Sequence, residues 1–363
     1  MGNSSLNSAK REKNDEFYTQ WKDIEVEMNA YLEYNPDVFR DKVILLPCDD
    51  PTWSNFTKYF ALRFDYLGIK KLISTSYAPN SNKSGQFYTP QESLFEGLEY
   101  DEETDFERGK IFILENDKKT GDGVINIDDI QWEYLEGDGD FRSPEVTKLR
   151  DEADFVVTNP PFSLFREFID WALKGDCQFS VIGNINAATY KEFFPLIKEN
   201  KVWLGYSTPT SFRTPANEDG VEENKVVPSW WYTSIPHGKR YEPMSLMNMA
   251  DNKRFSKTYE NYEHAYKKYD NYNAIEVPRI NIIPSDYKGI MGVPISFLVK
   301  YCPEQFEILG TQRWSKSQEL LDAYTGNLNP PEKDKKTTIN GKETYDRIFI
   351  KHKNPESSPE NPS

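Results

Sequence analysis

The chain has 363 residues, enough for one large domain or for a catalytic domain carrying a second module. Hydrophobic residues make up 37% and aromatics 14%, which supports a buried core and argues against a disordered chain. A formal net charge of -15 argues against a binder that holds nucleic acid by bulk basicity.

No apolar run reaches the length of about eighteen residues that a membrane span needs, and Met1 to Lys13 lacks the apolar core of a signal peptide. Three scattered cysteines, Cys48, Cys177 and Cys302, suggest neither a disulfide framework nor a zinc site, so a cytoplasmic, metal-free protein is expected. The charge is unevenly spread. Acidic residues crowd Glu92 to Glu107. Lys239 to Lys300 is basic and interleaved with Tyr241, Tyr259, Tyr262, Tyr266, Tyr269 and Tyr272. Such a stretch suits either a solvated face or a nucleic-acid contact.

In chain order, residues 1–13 read as a disordered arm. Asp15 to Tyr34 has helical spacing, Lys42 to Pro47 is a buried strand, Ser54 to Leu67 a helix ended by Gly68, and Ile69 to Ser74 the next strand: a βαβ unit. Pro79 to Lys110 reads as a polar, acidic surface insertion. Ile111–Leu114 and Val124–Ile127 suit a hairpin. Glu145 to Glu152 is a helix, Ala153 to Thr158 a strand, and Ser163 caps a helix reaching Leu173. Phe179–Ile182 and Val202–Leu204 read as strands around a helix over Ala187–Glu199. After Pro209 the pattern turns irregular, and strand character returns at Gly289–Lys300, Phe306–Leu309 and Tyr345–Ile350. Alternating strands and helices predict an α/β fold, a mostly parallel, doubly wound sheet whose ligands sit beyond the carboxyl ends of its strands.

Asn159-Pro160-Pro161-Phe162 falls at such an end, directly after an apolar strand. The exocyclic amine of a base is a poor nucleophile because its lone pair is delocalised into the ring. The Asn159 amide oxygen and the Pro160 carbonyl can accept its two N–H bonds, the Pro160 ring stiffens the backbone that aims that carbonyl, and Phe162 offers a face for stacking. This set suits methylation of an amino group, on adenine, on another base or on glutamine. Upstream, Asp140 and Phe141 in Gly137-Asp138-Gly139-Asp140-Phe141-Arg142-Ser143 suit contacts to a nucleoside. Asp49, Asp50 and Pro51, with Ser54 and Asn55, suit ammonium and hydroxyl groups, although no glycine-rich loop stands there.

The order of Asp15-Glu16-Phe17-Tyr18-Thr19, Cys48-Asp49-Asp50-Pro51 with Ser54-Asn55-Phe56, Lys70-Lys71-Leu72-Ile73, Gly139 to Ser143 and Thr158 to Phe165 resembles the EcoRI-type adenine-specific DNA methyltransferases. The likeness continues through Ile182 to Ala187, Phe194 to Lys201 and Trp203-Leu204-Gly205, and resumes at Tyr269 to Tyr272 and Gly289 to Phe297. The resemblance implies a Rossmann-like doubly wound methyltransferase sheet with an additional target-recognition module. It implies transfer of a methyl group from S-adenosylmethionine to N6 of a flipped-out adenine in double-stranded DNA. Asn159, Pro160, Pro161 and Phe162 would be catalytic. Phe17, Tyr18, Thr19, Asp49, Asp50, Pro51, Asn55, Asp140, Phe141 and Asn159 would bind the cofactor. Lys239, Arg240, Lys267 and Lys268 are expected to hold DNA phosphates. The expected layout is a catalytic domain over 14–213, a target-recognition region over 214–288, a C-terminal part over 289–350 and a disordered tail over 351–363. Methylation of an RNA base, or DNA binding without catalysis, are the alternatives.

Overall fold

The computed structural model describes residues 19–78, 107–115, 131–209, 211–213, 224–255, 266–326 and 336–357. They form a mixed α/β structure in two compact units, one of residues 1–187 and 204–237, the other of 188–203 and 238–363.

The first unit is built on a large central sheet. Helix α1 (Trp21–Tyr34) precedes β1 (Val43–Leu46), α2 (Asn55–Leu62), α3 (Phe64–Leu67) and β2 (Lys71–Thr75). There follow β3 (Lys110–Glu115), β4 (Trp132–Tyr134), α4 (Pro144–Glu152), β5 (Phe155–Thr158), α5 (Phe165–Leu173) and β6 (Gln178–Asn184). Then come β7 (Trp203–Leu204), of which only Leu204 belongs to this unit, β8 (Ser211–Arg213), β9 (Asn224–Val226) and β10 (Ser229–Thr233). The eight-stranded order is β4-β3-β2-β1-β5-β6-β10-β7. The middle four, β2, β1, β5 and β6, are parallel, while β3, β4 and β10 join antiparallel to their neighbours.

Local chemistry explains these elements. All four residues of β1 and all four of β5 are buried, the continuous apolar pattern of a strand covered on both faces. Gly68 ends α3 in the left-handed conformation at φ 65°, where a residue without Cβ is unstrained. Ile44, Leu46, Phe60, Leu72, Phe155 and Val157 share one core with Tyr31, Phe39 and Trp231.

Some expected elements differ. Ser163 does not cap a helix: the two prolines lead into a 3-10 turn, Phe162–Leu164, and α5 starts only at Phe165. Ala187–Glu199 is not one helix, but a 3-10 turn at Ile185–Thr189 and a short α6 (Phe194–Lys198). The hairpin partner of β3 is β4, and Val124–Ile127 lies outside the described residues. Lys110 is no part of a surface insertion, because it is the buried first residue of β3. The irregular stretch after Pro209 holds β10, whose five residues are all buried.

The second unit carries α6 and then α7 (Met249–Phe255), β11 (Ala274–Glu276), β12 (Ile290–Val293) and β13 (Phe306–Thr311). It ends with α8 (Gln318–Asp322), β14 (Thr338–Ile339), β15 (Lys342–Glu343) and β16 (Ile348–His352). Its main sheet has the order β11-β12-β16-β13. Glu276 of β11 receives a bidentate Arg347 guanidinium, with Nη2 to Oε1 at 2.6 Å and Nε to Oε2 at 3.1 Å, and also the Tyr269 hydroxyl. The stretch 214–288 is therefore divided. Its β10 belongs to the central sheet of the first unit, and its β11 to the sheet of the second.

Candidate active site

Three loops of the first unit leave the carboxyl ends of adjacent parallel strands: residues 47–54 after β1, 76–78 after β2 and 159–164 after β5. Asp49 and Asp50 stand in the first. Both are buried, at 4% and 3% exposure, so each carboxylate must find partners or neutralise. Asp49 is fully engaged: Oδ1 accepts from Ser54 Oγ at 2.7 Å and Oδ2 from Thr158 Oγ1 at 2.6 Å. Burial pushes its carboxyl up to about 7. The Thr158 and Ser54 hydroxyls pull against that, and the neighbouring Asp50 charge adds to it. Ser54 also caps α2, accepting from the Phe56 N–H at 3.1 Å.

Asp50 is used differently. Its Oδ1 accepts from the Thr52 N–H at 2.8 Å and from the Thr52 hydroxyl at 2.5 Å. Its Oδ2 is buried and makes no hydrogen bond among the described residues, with Lys110 Nζ 4.0 Å away. Lys110 Nζ also lies 4.7 Å from the centre of the Trp132 ring. Burial holds the Lys58 ammonium below the usual lysine range, with Asp50 working the other way. A second buried acceptor, Thr19 Oγ1, likewise makes no hydrogen bond among the described residues. Asn55 Nδ2 donates to the Thr19 carbonyl at 2.8 Å, which brings the segment before α1 to the first turn of α2. Phe17 and Tyr18 lie outside the described residues.

The Asn159 loop follows β5. Asn159 Oδ1 is shielded from solvent, Pro160 is buried and Pro161 half-buried. Phe162 is 7% exposed and meets Phe212 of β8 edge to face, with centroids 6.3 Å apart at 88°. Its neighbour Ser211 accepts from Gln20 Nε2, at 3.1 Å on the carbonyl and 3.2 Å on the hydroxyl. The Asn159 turn therefore packs on a short strand tied back to the start of α1.

The Asp140 loop is clamped beside the end of β2. A Cβ on Gly139, at φ 77°, would stand 2.0 Å from the Ser76 carbonyl oxygen, so only glycine allows this approach. The Ala78 N–H donates to the Asp138 carbonyl at 2.8 Å. Asp140 does not present an open carboxylate. Arg142 donates to Oδ1 through Nε at 2.9 Å and to Oδ2 through Nη2 at 2.7 Å, and reaches Glu167 at 2.5 Å. Partial burial works upward on the Asp140 carboxyl, but these Arg142 contacts outweigh it and hold the group below the usual range. Phe141 is buried against Phe168 and Trp171, with centroids at 5.1 and 5.5 Å.

The expected phosphate contacts lie in the second unit and divide by exposure. Lys267 and Lys268 are exposed and Lys239 half-exposed. Arg240 turns inward instead. It is 8% exposed, stacks 3.8 Å above Trp203 and donates to Asn200 Oδ1 at 3.1 Å, so it is a packed cation rather than a phosphate ligand.

A family model described as "Adenine-specific methyltransferase EcoRI" matches residues 5–353. The chain belongs to this family. It is 40% identical to the Type II methyltransferase M.EcoRI of Escherichia coli, over 97% of each chain. It is 30% identical to the Type II methyltransferase M.MpnI of Mycoplasma pneumoniae, over 96% of this chain and 98% of that one. It is 32% identical to the Type II methyltransferase M.MgeORF184P of Mycoplasma genitalium, over 95% of this chain and 98% of that one. No solved structure matches. Within the family, this member's residues missed by the sequence reading are Thr158 and Lys110. Thr158 meets Asp49 across 109 positions of sequence, a pairing that no local motif signals. Among the described residues no group of His, Cys, Asp or Glu could hold a metal ion, and no helix is long and apolar enough to cross a membrane.

Proposed function

We propose that this site-specific DNA methyltransferase moves a methyl group from S-adenosylmethionine to N6 of an adenine rotated out of the duplex. When bound, the cofactor supplies an electrophilic methyl group on sulfur. The observation that carries the reading is the Asn159-Pro160-Pro161-Phe162 turn after β5 together with, in the loop after the adjacent β1, a buried carboxylate oxygen, Asp50 Oδ2, that lacks a hydrogen bond among the described residues. An anionic acceptor in that position fits the ammonium or ribose hydroxyls of the cofactor, as does Thr19 Oγ1. We assign Pro51, Asn55 and the Thr19 backbone to one side of the cofactor site, with Asn55 Nδ2 on the Thr19 carbonyl. Asp140 and Phe141 would shape the nucleoside end, Asp140 after exchanging part of its Arg142 pairing.

Asn159 and the Pro160 carbonyl accept the two N–H bonds of the target amine. That draws its nitrogen toward tetrahedral geometry and frees the lone pair for attack. The remaining work is placement, because the electrophile needs no further activation. The sheet order, with parallel β2-β1-β5-β6 followed by antiparallel β10, supports a Rossmann-like doubly wound arrangement. The tyrosine-rich, basic part of residues 214–288 is the proposed target-reading module, with Lys239, Lys267 and Lys268 on phosphates. A cytoplasmic setting goes with this reading, since the chain's substrates meet there.

Tritiated-methyl transfer to unmethylated genomic DNA, RNA and protein, run in parallel, tests the reading. Label in DNA as N6-methyladenine is expected, at one sequence context. Asn159→Ala should lower the rate by about two to four kcal/mol at the barrier while cofactor binding persists. Label in RNA or protein alone, or a variant of normal turnover, overturns it.

A further inference from the structure

We propose that Asp49 is a positioning residue for methyl transfer: its carboxylate, gripped by Ser54 and Thr158, fixes the turn that aims Asn159. The inference rests on the reading of Asn159 given above.

Asp49 is held on every side. Its N–H donates to the Thr75 carbonyl at 2.9 Å, and its own carbonyl accepts from Ser74 Oγ at 2.5 Å. Ser74 Oγ in turn meets Thr57 Oγ1 at 2.7 Å, so α2 braces the β2 hydroxyl that holds the Asp49 carbonyl. From this fixed point the carboxylate extends to Thr158 Oγ1, and Thr158 is the last residue of β5, bonded directly to Asn159. Thr158 is fully buried, so water cannot substitute for Asp49 without a rearrangement.

The two adjacent aspartates therefore divide the work. Asp50 keeps an oxygen without a hydrogen bond among the described residues, and Asp49 spends both oxygens on hydroxyls of the protein. A carboxylate placed to bind a ligand would not point both oxygens into the frame. Catalysis that depends on placing an amide oxygen against an amine is sensitive to shifts of about 1 Å. Removing the Thr158 hydroxyl lets the Asn159 turn relax by that order while its sequence stays intact.

The experiment uses the full chain, unmethylated genomic DNA as substrate and S-adenosylhomocysteine as the calorimetric probe of the cofactor site. Thr158→Val is expected to lower kcat roughly ten- to a hundredfold, the loss that a misplacement of about 1 Å brings. The KM for DNA and the affinity for S-adenosylhomocysteine should stay within about twofold, too small a change to register as a broken hydrogen bond. Thr158→Ser, which keeps the hydroxyl, should recover most of the rate. In an Asp49→Ala background, Thr158→Val should cost nothing more, because the two act as one unit. A normal kcat for Thr158→Val overturns the proposal. So does a loss of S-adenosylhomocysteine affinity equal to the loss of rate, or a Thr158→Ser variant as impaired as Thr158→Val. Should Asp49→Ala fail to fold, the valine and serine variants decide alone. A wild-type protein that leaves adenine unmethylated would overturn the reading of Asn159 instead.

Discussion

The side-chain amide of Asn55 donates to the backbone carbonyl of Thr19 at 2.8 Å, latching the segment before α1 onto the first turn of α2. Asn55→Ala cuts that latch, and Asp50→Ala removes the carboxylate beside it. One neutral hydrogen bond is worth about 1 kcal/mol, so Asn55→Ala should weaken S-adenosylmethionine binding by about fivefold. Asp50→Ala should weaken it by about tenfold or more, as a bond to a charged group is stronger. Calorimetry with the intact chain measures both. Unchanged affinity in the two variants removes this face from the cofactor site.

The proposed base extrusion has a direct test. N6 of a paired adenine is enclosed in the stack, and turning the nucleotide out costs a few kcal/mol. With 2-aminopurine at the target position, fluorescence should rise on binding, and a mismatch there should bind at least as tightly as a pair. Phe162→Ala should lower turnover. It should lower the melting temperature as well, since the ring is 7% exposed and packed on Phe212. A silent fluorophore in a duplex that does bind would argue that no base leaves the stack.

The cations of the second unit should separate by experiment as they do by burial. Neutralising the exposed Lys267 and Lys268 together should weaken DNA binding on every sequence and flatten its salt dependence. The expected change is about 0.9 in slope for each phosphate that is no longer neutralised. Arg240→Ala should instead lower thermal stability because it removes the stack on Trp203, with the salt slope preserved. The opposite pattern, with Arg240 setting the slope, would place the phosphate track elsewhere.

Asp49 gives a pH signature. Burial raises its carboxyl from 3.8 to about 7 in the folded protein. Between those values the folded chain keeps a proton that the unfolded chain releases. Its contribution to stability is therefore complete below pH 3.8 and is lost as pH climbs through about 7. Asp49→Asn cannot titrate, so the variant should gain on the wild type from acid toward neutral pH. Glu27, also pushed up by burial and pulled back by Ser207, Tyr31 and Tyr206, is common to both proteins and cancels. Denaturant titrations across this range measure the difference. A gap that stays constant with pH would mean that Asp49 ionises normally.

The legible parts of the chain were those where one short segment carries the whole signal. Val43–Leu46 and Phe155–Thr158 announce themselves as apolar runs, and the Asn159 turn is contiguous. Trp230, Trp231 and Tyr232 escaped notice as a strand because their pairing partner, β6, lies some fifty residues upstream and prolines flank them. Ser163 looked like a cap because Ser favours that role, yet the preceding prolines spend the first turn as a 3-10 helix. At the site, Asp49 and Asp50 are indistinguishable by type and position. Only the Ser54 hydroxyl five positions on and the distant Thr158 hydroxyl give them different tasks.

In the sheet of the second unit, β16 (Ile348–His352) lies between β12 and β13 and pairs antiparallel with both. Strands some forty and sixty residues earlier in the chain thus wait for a later one to join them. This unit cannot grow strand by strand along the sequence, and its contacts close long loops, which slows folding. A chain interrupted before Ile348 would leave β12 and β13 each with an open edge and the apolar positions facing Phe349 uncovered. Its hazard is aggregation rather than a mere loss of affinity.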